Sequence, residues 1–115
     1  MNDNIILIKT GDCKKVIERQ DKLYKFLLES EKMEANIAEL EPDSESRWFK
    51  HSGEEIHIVL KGDLEYSVDD HIYKLTEGDI LWHKSNINHK AKNNSDGKVI
   101  YLTIGTPPSF KLSMV

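Results

Sequence analysis

The chain has 115 residues, enough for one domain with a single core and too few for two. Hydrophobic residues make up 38% and charged residues 31%, the profile of a globular domain on the polar side. The formal net charge of -4 argues against a nucleic-acid backbone as the main partner, and the one basic cluster, Lys14, Lys15 and Arg19, is interrupted by Glu18 and reads as a solvated face.

A single cysteine, Cys13, allows no intrachain disulfide and no CxxC zinc site, which fits a reducing cytoplasm. It is expected to be an ordinary buried or half-buried thiol. The apolar run Ile5-Ile6-Leu7-Ile8 is too short for a signal peptide and far too short to span a bilayer, so no membrane association is expected. Residues 4–9 read as a first strand, at a sheet edge or a dimer contact, ended by Gly11-Asp12.

Residues 14–40 carry two patterns. Val16, Ile17, Leu23, Tyr24, Leu27 and Leu28 fit a helical stripe. The same stretch also reads as two or three strands, with Leu23, Lys25 and Leu27 alternating against Tyr24, Phe26 and Leu28. After the turn at Glu41-Pro42-Asp43-Ser44 the punctuation becomes regular, at Lys61-Gly62-Asp63, Asp69-Asp70, Glu77-Gly78-Asp79 and Asn93 to Gly97. Short alternating runs lie between these turns. That spacing indicates an all-β sandwich or barrel, and Pro107-Pro108 ends the last long strand. No repeat or linker interrupts residues 1–115, which are expected to form one domain.

The most informative run is Lys50 to Asp63. Side chains alternate along a strand, so Ile56, Ile58 and Leu60 share one face and Glu55, His57 and Val59 the other. A buried charge without a partner is expensive. Glu55 and His57 therefore face a metal, a ligand, water or each other. Of the five histidines, His71 lies in a turn beside Asp69-Asp70 and is expected to be exposed, while His51, His57, His83 and His89 flank or lie on strands. Two histidines and one carboxylate from distant strands have the composition of a facial triad for divalent iron, manganese, nickel or zinc.

At these residues the sequence resembles the cupins. His51-Ser52-Gly53-Glu54-Glu55 through Val59-Leu60-Lys61-Gly62 looks like their first motif, and Gly78-Asp79-Ile80 through His89-Lys90-Ala91-Lys92-Asn93 looks like their second. The similarity is greatest to small cupin domains found alone or behind a helix-turn-helix in bacterial and archaeal regulators. It spans residues from about 14 to 110 and implies a cupin-type double-stranded β-helix, or jelly roll, so it favours strands over residues 14–40. The family's usual metal set is a His-x-His pair, a Glu and a later His. Carried over by position, the ligands are His51, Glu55 and His89, and the first His falls at Phe49, which cannot bind a metal. The family's Pro and Gly of the second motif fall at Lys84 and Asn86.

The resemblance and the residues together support two functions. One is a small-molecule-binding or sensing domain without its own DNA-binding part, its pocket lined by His57, Phe49, Tyr66 and Trp82 and its metal held by His51, Glu55 and His89. The other is a metal-dependent enzyme of dioxygenase, isomerase or epimerase type on the same triad, with His57 as a hydrogen-bonding or proton-transfer group. Trp82 and His83 occupy opposite strand faces, so at most one of them faces the cavity. Open jelly-roll edges and the strand Ile5 to Ile8 make a homodimer the expected assembly.

Overall fold

The fold, seen in a computed structural model, is described for residues 4–108. Nine strands form: β1 (Lys15–Glu18), β2 (Lys22–Glu29), β3 (Glu34–Leu40), β4 (Glu54–Lys61), β5 (Leu64–Val68), β6 (His71–Leu75), β7 (Ile80–Lys84), β8 (His89–Lys92) and β9 (Val99–Thr106). No helix occurs among the described residues. Residues 14–40 are therefore strands, and the helical stripe is an accident of apolar residues on both faces of β2. The strands build a six-stranded sheet, ordered β1-β2-β3-β9-β4-β7, facing a three-stranded sheet, ordered β6-β5-β8. The segment after β3 widens the smaller sheet, through bridges Glu45–Lys92 and Phe49–His89. Every pairing is antiparallel, the jelly-roll arrangement that the motifs imply.

The two sheets enclose a core of Leu40, Val59, Leu64, Val99 and Ala91, with Tyr24, Tyr66 and Tyr101 beside them. Toward the end where β3, β9 and β4 begin or finish, the inward positions turn polar: Glu34 and Asn36 on β3, Thr103 on β9, Glu55 and His57 on β4 are all buried. The interior is thus an apolar floor under a polar mouth. No helix of the described chain is long and apolar enough to cross a membrane.

Two expectations are corrected. Residues 4–9 form no strand: Lys9 and Asp12 close a turn on each other, with Asp12 N–H on the Lys9 carbonyl at 2.9 Å and Lys9 N–H on Asp12 Oδ2 at 3.1 Å, and the ladder starts only at Lys15. Ile5, Ile6 and Leu7 are left exposed. Cys13, just past this turn, is exposed as well, not buried.

Burial raises the phenols of Tyr66 and Tyr101 well above their usual range, and burial followed by the nearby Asp21 carboxylate pushes Tyr24 up to about 12. A raised native pKa stabilises the fold fully below the unfolded value and less as pH climbs toward the native one. Native stability is accordingly expected to fall as pH rises from about 10 toward about 12, and urea unfolding across that window checks it. Stability that stays level would mean that these phenols ionise within the fold.

Candidate metal centre

The polar mouth is organised by β4. Its inward residues are Glu55, His57 and Val59, as strand parity requires, and the shift in pairing with β9 comes only later, between Val59 and Lys61. Gly53 sets that parity. It has φ of +97°, and a Cβ there would run into the Thr106 carbonyl and the Pro107 ring, so glycine is the residue that lets the chain enter the strand. The turn is clamped to β7's end, His51 N–H donating to the Ser85 carbonyl at 2.9 Å and Ser85 N–H to the Gly53 carbonyl at 2.8 Å.

Four imidazoles converge on the Glu55 carboxylate. His57, His83 and His89 place Nε2 at 3.2, 3.1 and 3.0 Å from Oε1, and His51 places Nε2 3.4 Å from Oε2. His83 is the register partner of Glu55 across β4 and β7, and His89 reaches over from β8 in the other sheet. His57 Nε2 also lies 2.9 Å from His83 Nε2, and its Nδ1 lies 2.7 Å from the hydroxyl of Thr103, its register partner on β9. Tyr66 covers the cluster from the second sheet, its ring centroid 4.1 Å from that of His57. Phe49 lies against His89, with centroids 6.1 Å apart.

The other ring nitrogens fix what each imidazole offers. Nδ1 of His83, His89 and His51 lies 2.8, 2.7 and 3.2 Å from the carbonyls of Lys84, Ile87 and Ser52. A carbonyl only accepts, so each Nδ1 carries the proton, and in the neutral ring Nε2 is then a lone pair aimed at Glu55. Lone pairs against a carboxylate repel unless a cation lies among them, either a metal ion or a second ring proton on Nε2, which then donates to Glu55. This orientation by backbone carbonyls is the usual support of a metal-binding histidine. The spacing also fits: two donors at right angles on a metal, each about 2.1 Å from it, sit about 3 Å apart. The ligand atoms of His51, Glu55 and His89, and those of Glu55, His57 and His83, lie within 4.8 Å of one another in each set.

Electrostatics follow from the same contacts. Burial alone would raise Glu55, but hydrogen bonding to the four imidazoles outweighs it and holds the carboxyl far below the usual carboxylate range. His51 is raised, chiefly by its contact with Glu55 and against the effect of burial. His57 is lowered, because complete burial disfavours its charged form more than Glu55 favours it.

The structure brings His51, Glu55 and His89 together and points His57, Phe49 and Tyr66 into the same interior. It places Trp82 elsewhere. That side chain is 53% exposed on the outer face, where Nε1 donates to Glu54 Oε1 at 2.9 Å, so it cannot line the barrel pocket. The inward residue of that pair is His83, which the sequence-based site omits. The signal that could have found it is the alternation Leu81/His83 against Ile80/Trp82, with Lys84 on the outer set. Asn36 was also missed. Its buried amide, beside Thr103 on the β3–β9 ladder, makes no hydrogen bond with either polar atom.

Comparison with known proteins agrees with this architecture. The family model of the cupin domain matches residues 36–105. The chain belongs to the cupin family. An uncharacterized protein of Archaeoglobus fulgidus is 39% identical over 64 residues, a match covering 56% of this chain and 60% of the relative, so the chain spans about three fifths of that relative's length. Among solved structures, a RmlC-like cupin from Shewanella frigidimarina superposes with a TM-score of 0.74 at 18% identity, covering 86% of this chain and 88% of that one. The Cupin_2 domain of an XRE family transcriptional regulator from Enterobacter cloacae does so with 0.70 at 21%, covering 75% and 96%. The polyketide cyclase RemF from Streptomyces resistomycificus gives 0.75 at 14%, covering 89% and 79%. At these identities the structural similarity speaks for the fold alone.

Replacing Glu55 by Ala leaves three buried imidazoles and the half-buried His51 without their anion. The expected cost is about 3 kcal/mol of folding stability, read as a lower urea midpoint at unchanged slope. An unchanged midpoint would mean that the imidazoles do not depend on that carboxylate.

Proposed function

We propose that this cupin is a small-molecule-binding domain whose barrel mouth holds one divalent metal ion, iron, manganese, nickel or zinc, through His51, Glu55 and His89. The observation that carries the reading is the set of Nδ1–carbonyl contacts, which turns the Nε2 atoms of His51, His83 and His89 toward one carboxylate. His83 reaches the same carboxylate from β7, a different strand than the family pattern uses, and forms with Glu55 and His57 a second set of possible donors. A bound metal would supply a Lewis-acidic centre with open positions for a ligand oxygen. This chain's own residues do the rest. Tyr66 closes one side of the cluster, His57 is held by Thr103, and the Asn36 amide offers a donor and an acceptor to whatever occupies the mouth. A buried amide left unmatched costs about 1–3 kcal/mol, which favours a ligand with complementary polar groups. The similarity to a transcriptional regulator's cupin domain supports a sensing role by analogy of fold.

The second reading, an enzyme on the same centre, rests on His57. This imidazole is held by Thr103 and buried, and burial lowers it more than the Glu55 contact raises it, so the neutral form that accepts a proton is favoured.

Self-association is part of the proposal. The outer face of the six-stranded sheet is apolar where Trp82 pairs with Ile56 and Ile80 with Ile58, and Ile80 is 63% exposed. An isologous pair of such faces would remove these side chains from water.

Elemental analysis of protein purified without chelator, repeated after loading with Fe(II), Mn(II), Ni(II) or Zn(II), tests the metal. Near-stoichiometric metal that His89→Ala abolishes is the expected result. Phe49→His, which restores the family's fourth ligand, is expected to tighten binding at least about 10-fold. No metal under any loading would leave a proton-bridged cluster and overturn the metal reading. Light scattering after size exclusion is expected to give twice the chain mass, falling to the monomer mass in Trp82→Asp. A monomeric parent protein would remove the dimer.

A further inference from the structure

A second feature lies outside the histidine cluster. Between the β1–β2 edge of the large sheet and the segment 45–49 of the small one runs an open groove of about 500 Å³, with Ile17, Tyr24 and Phe49 as its apolar surface and Arg19, Lys22 and Arg47 among its walls. That is the size range of small-molecule sites.

The charges of this groove are uneven in a chain of net charge -4. Lys22 is engaged by Asp21 at 3.2 Å and by the Glu45 carbonyl at 3.0 Å. The Glu45 carboxylate is in turn held by Lys90 at 3.0 Å and Lys92 at 3.9 Å. That leaves Arg19 and Arg47 without a carboxylate within ion-pair distance among the described residues. Arg19 donates only to the adjacent Glu18 carbonyl, at 3.2 Å. Arg47 lies over the Phe49 ring, 5.6 Å from its centroid, which keeps the guanidinium at the groove wall. Both guanidiniums line the same groove. Two unpaired guanidiniums above an apolar floor are the donors that recognise a planar oxyanion.

We infer that this groove binds a small organic anion, an apolar ring bearing one carboxylate or phosphate, with Arg19 and Arg47 on the oxyanion and Ile17, Tyr24 and Phe49 against the ring. The site goes beyond the metal reading, since neither arginine belongs to the histidine cluster, and it would remain if no metal bound.

The test uses the full chain after chelator treatment, so that the metal reading and this one fail separately. Benzoate, phenyl phosphate, benzyl alcohol and inorganic phosphate are titrated at low salt, with heat of binding as the readout. Saturable binding of benzoate or phenyl phosphate is expected, and whichever binds tighter identifies the head group. Arg19→Gln/Arg47→Gln is expected to weaken it at least about 10-fold, and higher ionic strength to weaken it further. Unfolding midpoints of the variant show that it is folded, and Arg47→Lys, which keeps the charge and loses the fork, is expected to fall between the two. The inference is overturned if neither anion binds saturably, if benzyl alcohol or inorganic phosphate binds as tightly, or if the folded double variant binds undiminished.

Discussion

The interior of this barrel depends on one buried carboxylate. Glu55 would be untenable in an apolar strand without compensation, and its compensation comes from four places: the turn at His51, the same strand at His57, the neighbouring strand at His83 and the opposite sheet at His89. These contacts hold the two sheets together at the end where the apolar core gives out. They also make the position of every donor conditional on the entry turn at Gly53, because a shift of one residue there would send Glu55 to the outer face.

The polarity of the strands runs opposite to a simple core. On β3 the buried residues include Glu34 and Asn36, while Ala35 and Ile37 face outward. On β7 the buried residue is His83, while Ile80 and Trp82 are exposed. An apolar outer face and a polar inner mouth are what a barrel needs if it holds a polar occupant within and covers its outside with another surface. Period-two alternation reports that a strand has two faces, not which one looks inward.

That limit explains what the sequence made legible. The turns and alternation fix an all-β architecture, and the cupin resemblance settles residues 14–40, where local pattern alone is level between helix and strand. The convergence of His51, Glu55 and His89 was readable from the two motifs and from the parity of β4. His83 was not, since its strand offers a large aromatic on one face and an imidazole on the other, and hydrophobicity favours the wrong one. The run Ile5 to Ile8 shows the converse. Its composition suits a strand, yet a strand needs a ladder partner, and the turn at Lys9–Asp12 directs the chain away from one.

Phe49 connects the two halves of the molecule's chemistry. The family pattern places a histidine there, and a histidine would look toward the histidine cluster. A phenyl ring in that place cannot coordinate, so it becomes a wall with two sides. One side packs against His89, and the other forms part of the arginine-lined groove. His83 on β7 brings a further imidazole to the same carboxylate, and it has no counterpart in the ligand set inferred by resemblance. Removing one imidazole from the mouth therefore need not empty it. A phenyl ring at position 49 also gives the groove side of the barrel an aromatic and cationic surface, which is a different chemistry from the one the family's four-ligand pattern encloses.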